Sequence, residues 1–178
     1  DVLSERLETL IHLAKRPKSA GPGPVIVTNG IGFLQRTFTS AQLKKRFRRF
    51  VLGDRIDPLD LIEWLEDQGY EPEAQVSQKG EIALRGGILD VFPLASPWPV
   101  RFEFFGDEIE SLRTFDPHTQ LTRDKIEQVT LSPGGELGIL KQQLADDAKY
   151  PTDRLAGHLA GEPVYVFIEP EELAERAA

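Results

Sequence analysis

The chain has 178 residues, of which 40% are hydrophobic, and a formal charge of -8 at pH 7; this is room for one domain or two small ones with a buried core, and it excludes collagen-like, coiled-coil and disordered classes. It contains no cysteine, which excludes disulfides, thiol nucleophiles and thiolate metal sites, and His12, His118 and His158 are too dispersed to spell a metal-ligand motif. The acidic balance argues against a generic nucleic-acid-binding domain, because phosphate contacts need a positive field. No apolar run approaches the ~20 residues of a membrane span, and the segment DVLSERLETL lacks the zones of a signal peptide, so a cytoplasmic location is expected. The absence of methionine leads us to expect an internal piece of a longer protein.

Leu3, Leu7, Leu10, Ile11 and Ala14 recur at helical spacing and predict an amphipathic helix over residues 3–15. The stretch Lys15 to Pro24 breaks it. Val25 to Thr28 is uniformly apolar apart from its last residue and predicts a short strand of the kind buried in a parallel sheet. Between Arg36 and Arg55 seven Lys or Arg face one acid. Such a basic run with Phe47 and Phe50 in it could form a single-strand platform; the favoured reading is a helix end leading into an edge strand, with solvated cations guarding the edge. Asp57-Pro58 followed by Asp60 is a strong helix start. Leu61, Ile62, Trp64, Leu65 and Gln68 fill the turns that follow, and Gly69 supplies a left-handed stop before the extended Tyr70 to Ser77.

Gly80 to Pro117 is the most informative stretch. Glu81 to Phe92 predicts two strand halves meeting at a bend or bulge at Gly86-Gly87. In Val100 to Phe105, Val100, Phe102 and Phe104 share one face and Arg101, Glu103 and Phe105 the other. Gly106-Asp107 predicts a tight hairpin into a third strand, Glu108 to Phe115. Phe105 stands out, because it shares a face with charged residues: that is the composition of a binding hot spot, or else of a face covered by a second hydrophobic layer. Ile126, Val129 and Leu131 predict one more strand, closed by SPGGE at Ser132 to Glu136. Helices are expected over 137–148, 154–159 and 171–176, and a strand over Val164 to Ile168. One helix across a three-stranded sheet would make a small α+β module.

The segments RGGILDVFP (Arg85 to Pro93), PVRFEFFGDEIESLRTFDP (Pro99 to Pro117) and HTQ (His118 to Gln120) together resemble the UvrB-homology region of bacterial transcription-repair coupling factors, the Mfd family, and are similar to the related region of UvrB. The resemblance implies an α/β fold with an inserted α+β module: a partial RecA-like parallel sheet, a degenerate helicase domain, over 1–39 and 134–178, and a small antiparallel-sheet UvrA-binding domain over 40–133. It also implies a protein-recruitment role, in which UvrA is bound to link a stalled RNA polymerase to nucleotide excision repair. The positions that match the family's UvrA contacts are Arg85, Arg101, Glu103 and Phe105. In the longer parent, the resemblance implies ATP and Mg in a motor domain, RNA polymerase and double-stranded DNA on other domains, and a carboxyl-terminal domain that masks the UvrA surface.

No catalytic residue, cofactor site or metal site is expected in this stretch itself. The Gly-rich loop G-x-x-x-x-G-K-[ST] that holds nucleotide phosphates does not occur. VYVFIEP places Ile168 where the family's metal-associated acid stands, leaving Glu169 and Pro170. This departure favours the coupling factor over the alternative, a fragment of the ATP-dependent UvrB. Glu103, Asp107, Glu108 and Glu110 have no nucleophile or histidine near them and are expected to form a solvated strand face rather than a hydrolase site. A single Arg85-Gly86-Gly87 is better explained by backbone geometry than by RNA binding.

Overall fold

The computed structural model describes residues 2–16, 21, 23–135, 152–159 and 161–168. In chain order the elements are α1 (Val2–Lys15), α2 (Gly30–Leu34), β1 (Thr37–Phe38), α3 (Ser40–Lys45), β2 (Arg48–Val51), α4 (Pro58–Asp67), β3 (Glu71–Pro72), β4 (Glu81–Arg85), β5 (Ile88–Val91), β6 (Val100–Phe105), β7 (Glu108–Phe115), β8 (Thr122–Lys125), β9 (Gln128–Leu131) and β10 (Thr152–Asp153), followed by a 3-10 turn, Leu155–His158. The chain divides into two compact units, Asp1–Glu8 with Arg46–Ala148, and Thr9–Lys45 with Lys149–Ala178. It is a small α/β fold dominated by a mostly antiparallel sheet. Among the described residues no helix is long and apolar enough to cross a membrane.

The first unit is built on a six-stranded sheet in the order β3-β4-β5-β6-β7-β8, in which only the β3–β4 pair is parallel. The expected three-stranded sheet is therefore too small. Its extra edges are polar β8 and the very short β3, neither of which carries an apolar alternation. Gly86-Gly87 is not a bend within one strand but the turn of a two-residue hairpin, since Arg85 pairs with Ile88 and Leu84 with Leu89. Gly86 has φ +61, and a glycine with positive φ at the first turn position is what a tight II′ hairpin requires.

One face of this sheet packs on α4. The Asp57 carboxylate accepts from the Leu59 N–H at 2.8 Å, capping the helix, and Gly69 ends it at φ +81. Leu61 and Leu65 are buried with Phe50, Ile82, Leu89, Val91, Val100, Phe102, Ile109 and Leu112. Full burial of one such side chain stabilises by about 1.5–3 kcal/mol. Ile109 and Leu112 would face opposite ways in a regular strand. They share the core because the β6–β7 register shifts between Glu103, opposite Ser111, and Phe104, opposite Ile109, leaving Glu110 as an extra residue. β2 pairs with β9 rather than with the large sheet. α3 ends at Lys45 and β2 follows from Arg48, as expected of the basic run, with Phe50 buried and the Arg48 guanidinium 5.0 Å from its ring centre.

After β9 the chain crosses close to the end of α4. The Tyr70 hydroxyl donates to the Ser132 carbonyl at 2.8 Å. A Cβ on Gly134 would lie 2.5 Å from the Tyr70 ring, so only glycine fits.

In the second unit, β1 and β10 form a short antiparallel ladder. Asn29 caps α2 by accepting from the Gly32 N–H at 2.8 Å, and the His158 Nε2 lies 2.7 Å from the Phe38 carbonyl oxygen. The strands expected at Val25 to Thr28 and Val164 to Ile168 are not formed: both stretches lack regular structure, and Val25, Val27, Val164, Val166 and Ile168 are exposed. A buried apolar strand needs a hydrogen-bonding neighbour on each side, and among the described residues neither stretch has one. No parallel sheet of the RecA-like kind is present among those residues. The helices expected over 137–148 and 171–176 lie outside the described residues.

Candidate protein-docking site

The second face of the large sheet, away from α4, carries the four candidate residues. Cross-strand register puts Ala83, Asp90, Arg101, Arg113 and Lys125 in one row and Arg85, Ile88, Glu103 and Ser111 in the next. Phe105 lies beyond them, at the end of β6, where it pairs with Glu108. Both tight turns, Gly86-Gly87 and Gly106-Asp107, close this end of the sheet, so Arg85 and Phe105 are held by hairpins rather than by long loops. In a chain of net charge -8, the two rows hold four cations (Arg85, Arg101, Arg113, Lys125) and two carboxylates (Asp90, Glu103).

The four candidates differ sharply in freedom. Phe105 is 79% exposed, whereas Phe104, its neighbour on the opposite face, stacks on Phe102 with ring centres 6.2 Å apart. A second hydrophobic layer does exist, but at the other end of the face, where Val76, Ala83, Phe92 and Phe115 form a small buried cluster. It leaves Phe105 uncovered. Glu103 is ion-paired with Arg113.

Arg101 is held from several sides. Its Nε donates to one oxygen of Asp90 at 2.7 Å and an Nη to the other at 2.8 Å, the same Nη reaches the Gln120 side-chain oxygen at 3.2 Å, and the guanidinium lies 4.4 Å over the Phe115 ring. The hydrogen bond to Asp90 is the main cause that pushes the Arg101 pKa above its ordinary value. Arg85 donates one Nη to the same Asp90 at 2.7 Å, and its side chain stays 47% exposed.

Asp90, missed by the sequence reasoning, is therefore the hub of this face. Its only signal was an acid inside the apolar run ILDV. Gln120 was noticed only as part of HTQ; it has φ +62, the one positive value outside glycine among the described residues, and its amide donates to the Pro117 and Val76 carbonyls at 2.8 and 3.3 Å. The loop before it is an Asx turn in which the Asp116 carboxylate accepts from the N–H groups of His118 and Thr119 at 2.8 and 3.1 Å. These bonds, that from Thr119 first, hold the Asp116 pKa below the usual carboxylate value.

The arrangement offers an aromatic anchor and an oriented cation on a rigid sheet, which is what binding needs. Of the acids Glu103, Asp107, Glu108 and Glu110, Glu103 is paired with Arg113, and Asp107 and Glu108 face Arg55 across 3.9 and 3.2 Å. Among the described residues no group of three His, Asp or Glu side chains is placed to hold a metal.

The profile of the UvrB interaction domain matches residues 49–137, which takes in α4, the whole sheet and all four candidates. The chain belongs to the UvrB interaction domain family. It is also 38% identical over 138 residues to a transcription-repair-coupling factor of Haemophilus influenzae, and 35% identical over 142 residues to one of Staphylococcus aureus. These alignments cover 76% and 79% of this chain but only 11% and 12% of the two relatives. The chain thus spans about a tenth of the length of the curated relatives it matches. Within this UvrB interaction domain, the matched segment ends at residue 137, just past the Gly134 contact with Tyr70.

Proposed function

We propose that the chain is a protein-recruitment module, not an enzyme, of the kind found in transcription-repair coupling factors, and that it docks UvrA to link a stalled RNA polymerase to nucleotide excision repair. The observation that carries this reading is Phe105, 79% exposed at the end of an ordered strand, on the same sheet face as the half-exposed side chain of Arg85. A large ring left in water on a rigid sheet is a ready anchor for a partner pocket. The family match and the names of the relatives favour this reading over a piece of UvrB.

In this proposal residues 40–133 form the UvrA-docking domain, with 1–39 and 134–178 belonging to a RecA-like frame. Arg85, Arg101, Glu103 and Phe105 are its partner-binding set, with Phe105 as apolar anchor and Arg85 offering its planar donor fork to a partner carboxylate. No cofactor is assigned to this stretch. ATP and Mg, RNA polymerase, double-stranded DNA and an intramolecular carboxyl-terminal mask belong to the longer parent, which works in the cytoplasm. The basic run at Lys44 to Arg49 is assigned no nucleic-acid site.

Titration of the purified chain with UvrA from the same organism, followed by calorimetry, tests the reading. Saturable binding that is lost in Phe105→Ala supports it. Absence of binding, or binding indifferent to Phe105, overturns it.

A further inference from the structure

The Asp90 side chain is completely buried, so it cannot touch a docked partner. It nevertheless bonds to two of the four candidate residues. A buried carboxylate is costly unless it is paired and its lone pairs are filled. Here one oxygen accepts from Arg101 Nε and the other from an Nη of both Arg101 and Arg85, all between 2.7 and 2.8 Å.

Its surroundings make the charge more conspicuous. Ala83, directly opposite Asp90 on β4, is buried in the apolar cluster with Phe92 and Phe115. A hydrophobic residue at position 90 would suit that environment. Replacing a buried ion-pair triad by apolar side chains is often neutral or stabilising, so packing alone gives no reason for an acid here. Orientation does.

Arg101 is clamped by Asp90 at its fork, Phe115 beneath it and Gln120 beside it. Arg85 is gripped by one Nη alone, and among the described residues Asp90 is its one ion-pair partner. That leaves the rest of its donor fork on the surface, aimed by a residue that the partner never meets. The left-handed backbone of Gln120 and its two amide bonds to carbonyls place the second brace on Arg101.

We propose that Asp90 is a positioning residue, which sets the strength of docking at this face by fixing the Arg85 and Arg101 guanidinium groups before the partner arrives. The proposal rests on the docking reading above. Arg85 and Arg101 thereby have unequal parts: Arg85 offers the partner the freer fork, while Arg101, braced by Gln120 as well, is the more firmly held of the two. A preorganised fork loses less side-chain freedom on binding than a mobile one, and residues in one hydrogen-bond network couple rather than add.

The test is a double-mutant cycle on UvrA binding with Asp90→Asn, Arg85→Ala and both together, beside thermal melts of the free chains. Asp90→Asn is expected to weaken binding on the order of tenfold, within the range of coupling seen for network neighbours. The double variant should lose less than the product of the two single losses. Affinity unchanged by Asp90→Asn, or losses that multiply fully, overturns the proposal and leaves the docking reading standing. No binding by the unaltered chain overturns that reading and the proposal with it.

Should Asp90→Asn fail to fold, the unaltered free chain decides by nuclear magnetic resonance at neutral pH. The Arg101 Nε–H should exchange with water far more slowly than those of exposed arginines, and the Arg85 signals should shift on addition of UvrA. Rapid exchange at Arg101, or Arg85 signals that ignore UvrA, overturns the proposal.

Discussion

Tyr70 and Ser132 are joined by a buried hydrogen bond, the hydroxyl donating to the main-chain carbonyl oxygen at 2.8 Å across 62 positions of sequence. The contact ties the chain just after α4 to the chain just after β9. Tyr70→Phe should keep the ring under Gly134 and orphan the carbonyl, at a stability cost of about 1–3 kcal/mol. A chemical melt of the two chains measures it; no change in midpoint would mean that another donor reaches Ser132.

The same burial pushes the Tyr70 pKa well above its ordinary value. A folded pKa above the unfolded one gives a contribution that is complete below the ordinary tyrosine value of ~10 and is lost as pH climbs from there towards the raised value. Tyr70 should therefore stay unionised in alkali until the chain unfolds. An ultraviolet titration that ionised Tyr70 in the native state near pH ~10 would contradict its burial.

Local chemistry made some elements legible and left others hidden. Asp57-Pro58 announced α4, because a cap and its first turn are written in consecutive residues. The limits of β6 followed from alternation alone, which put Phe105 on the face of Arg101 and Glu103 but left open whether a second layer covers it. Gly86-Gly87 misled because two apolar runs with a glycine pair between them look alike whether the chain bends or reverses. Val25 to Thr28 and Val164 to Ile168 misled because hydrophobicity reports a wish for burial and not the presence of a neighbour. Asp90 was illegible for the same reason: its partners, Arg85 and Arg101, lie on two other strands, and only register brings them together.

Asp57→Ala isolates one of the legible features. It removes the acceptor for the Leu59 N–H while Pro58 continues to preset the first turn, so the expected loss is about 1 kcal/mol. Asp57→Ser, which can still cap, should recover most of it in the same melt. Equal losses in both variants would show that the cap contributes nothing.

Asp116 predicts a pH dependence of the loop that carries Gln120. Its pKa is depressed by the two main-chain bonds it accepts, so their stabilising effect is present above the unfolded carboxylate value of ~3.9 and is lost as pH falls through the lower folded value. The Asp116 side-chain carboxyl carbon resonance should show its protonation shift only below ~4. Movement at pH ~5 or above would mean that Asp116 is not the acceptor.

Phe102 and Phe105 lie on the same strand and on opposite faces, and they offer the sharpest contrast in the molecule. Phe102 is fully buried, with its ring centre 5.9 Å from that of Phe50, so Phe102→Ala should cost about 3–5 kcal/mol of stability. Phe105 is 79% exposed, and Phe105→Ala should stay within about 0.5 kcal/mol of the unaltered chain. Binding should reverse the order of importance. An anchor of this kind contributes at least ~2 kcal/mol to a complex, which is roughly a thirtyfold weaker dissociation constant. Melts and UvrA titrations on the same Phe105→Ala preparation separate the two effects: a midpoint lowered as far as that of Phe102→Ala would make Phe105 part of the core, and an intact fold with unchanged affinity would remove it from the docking surface.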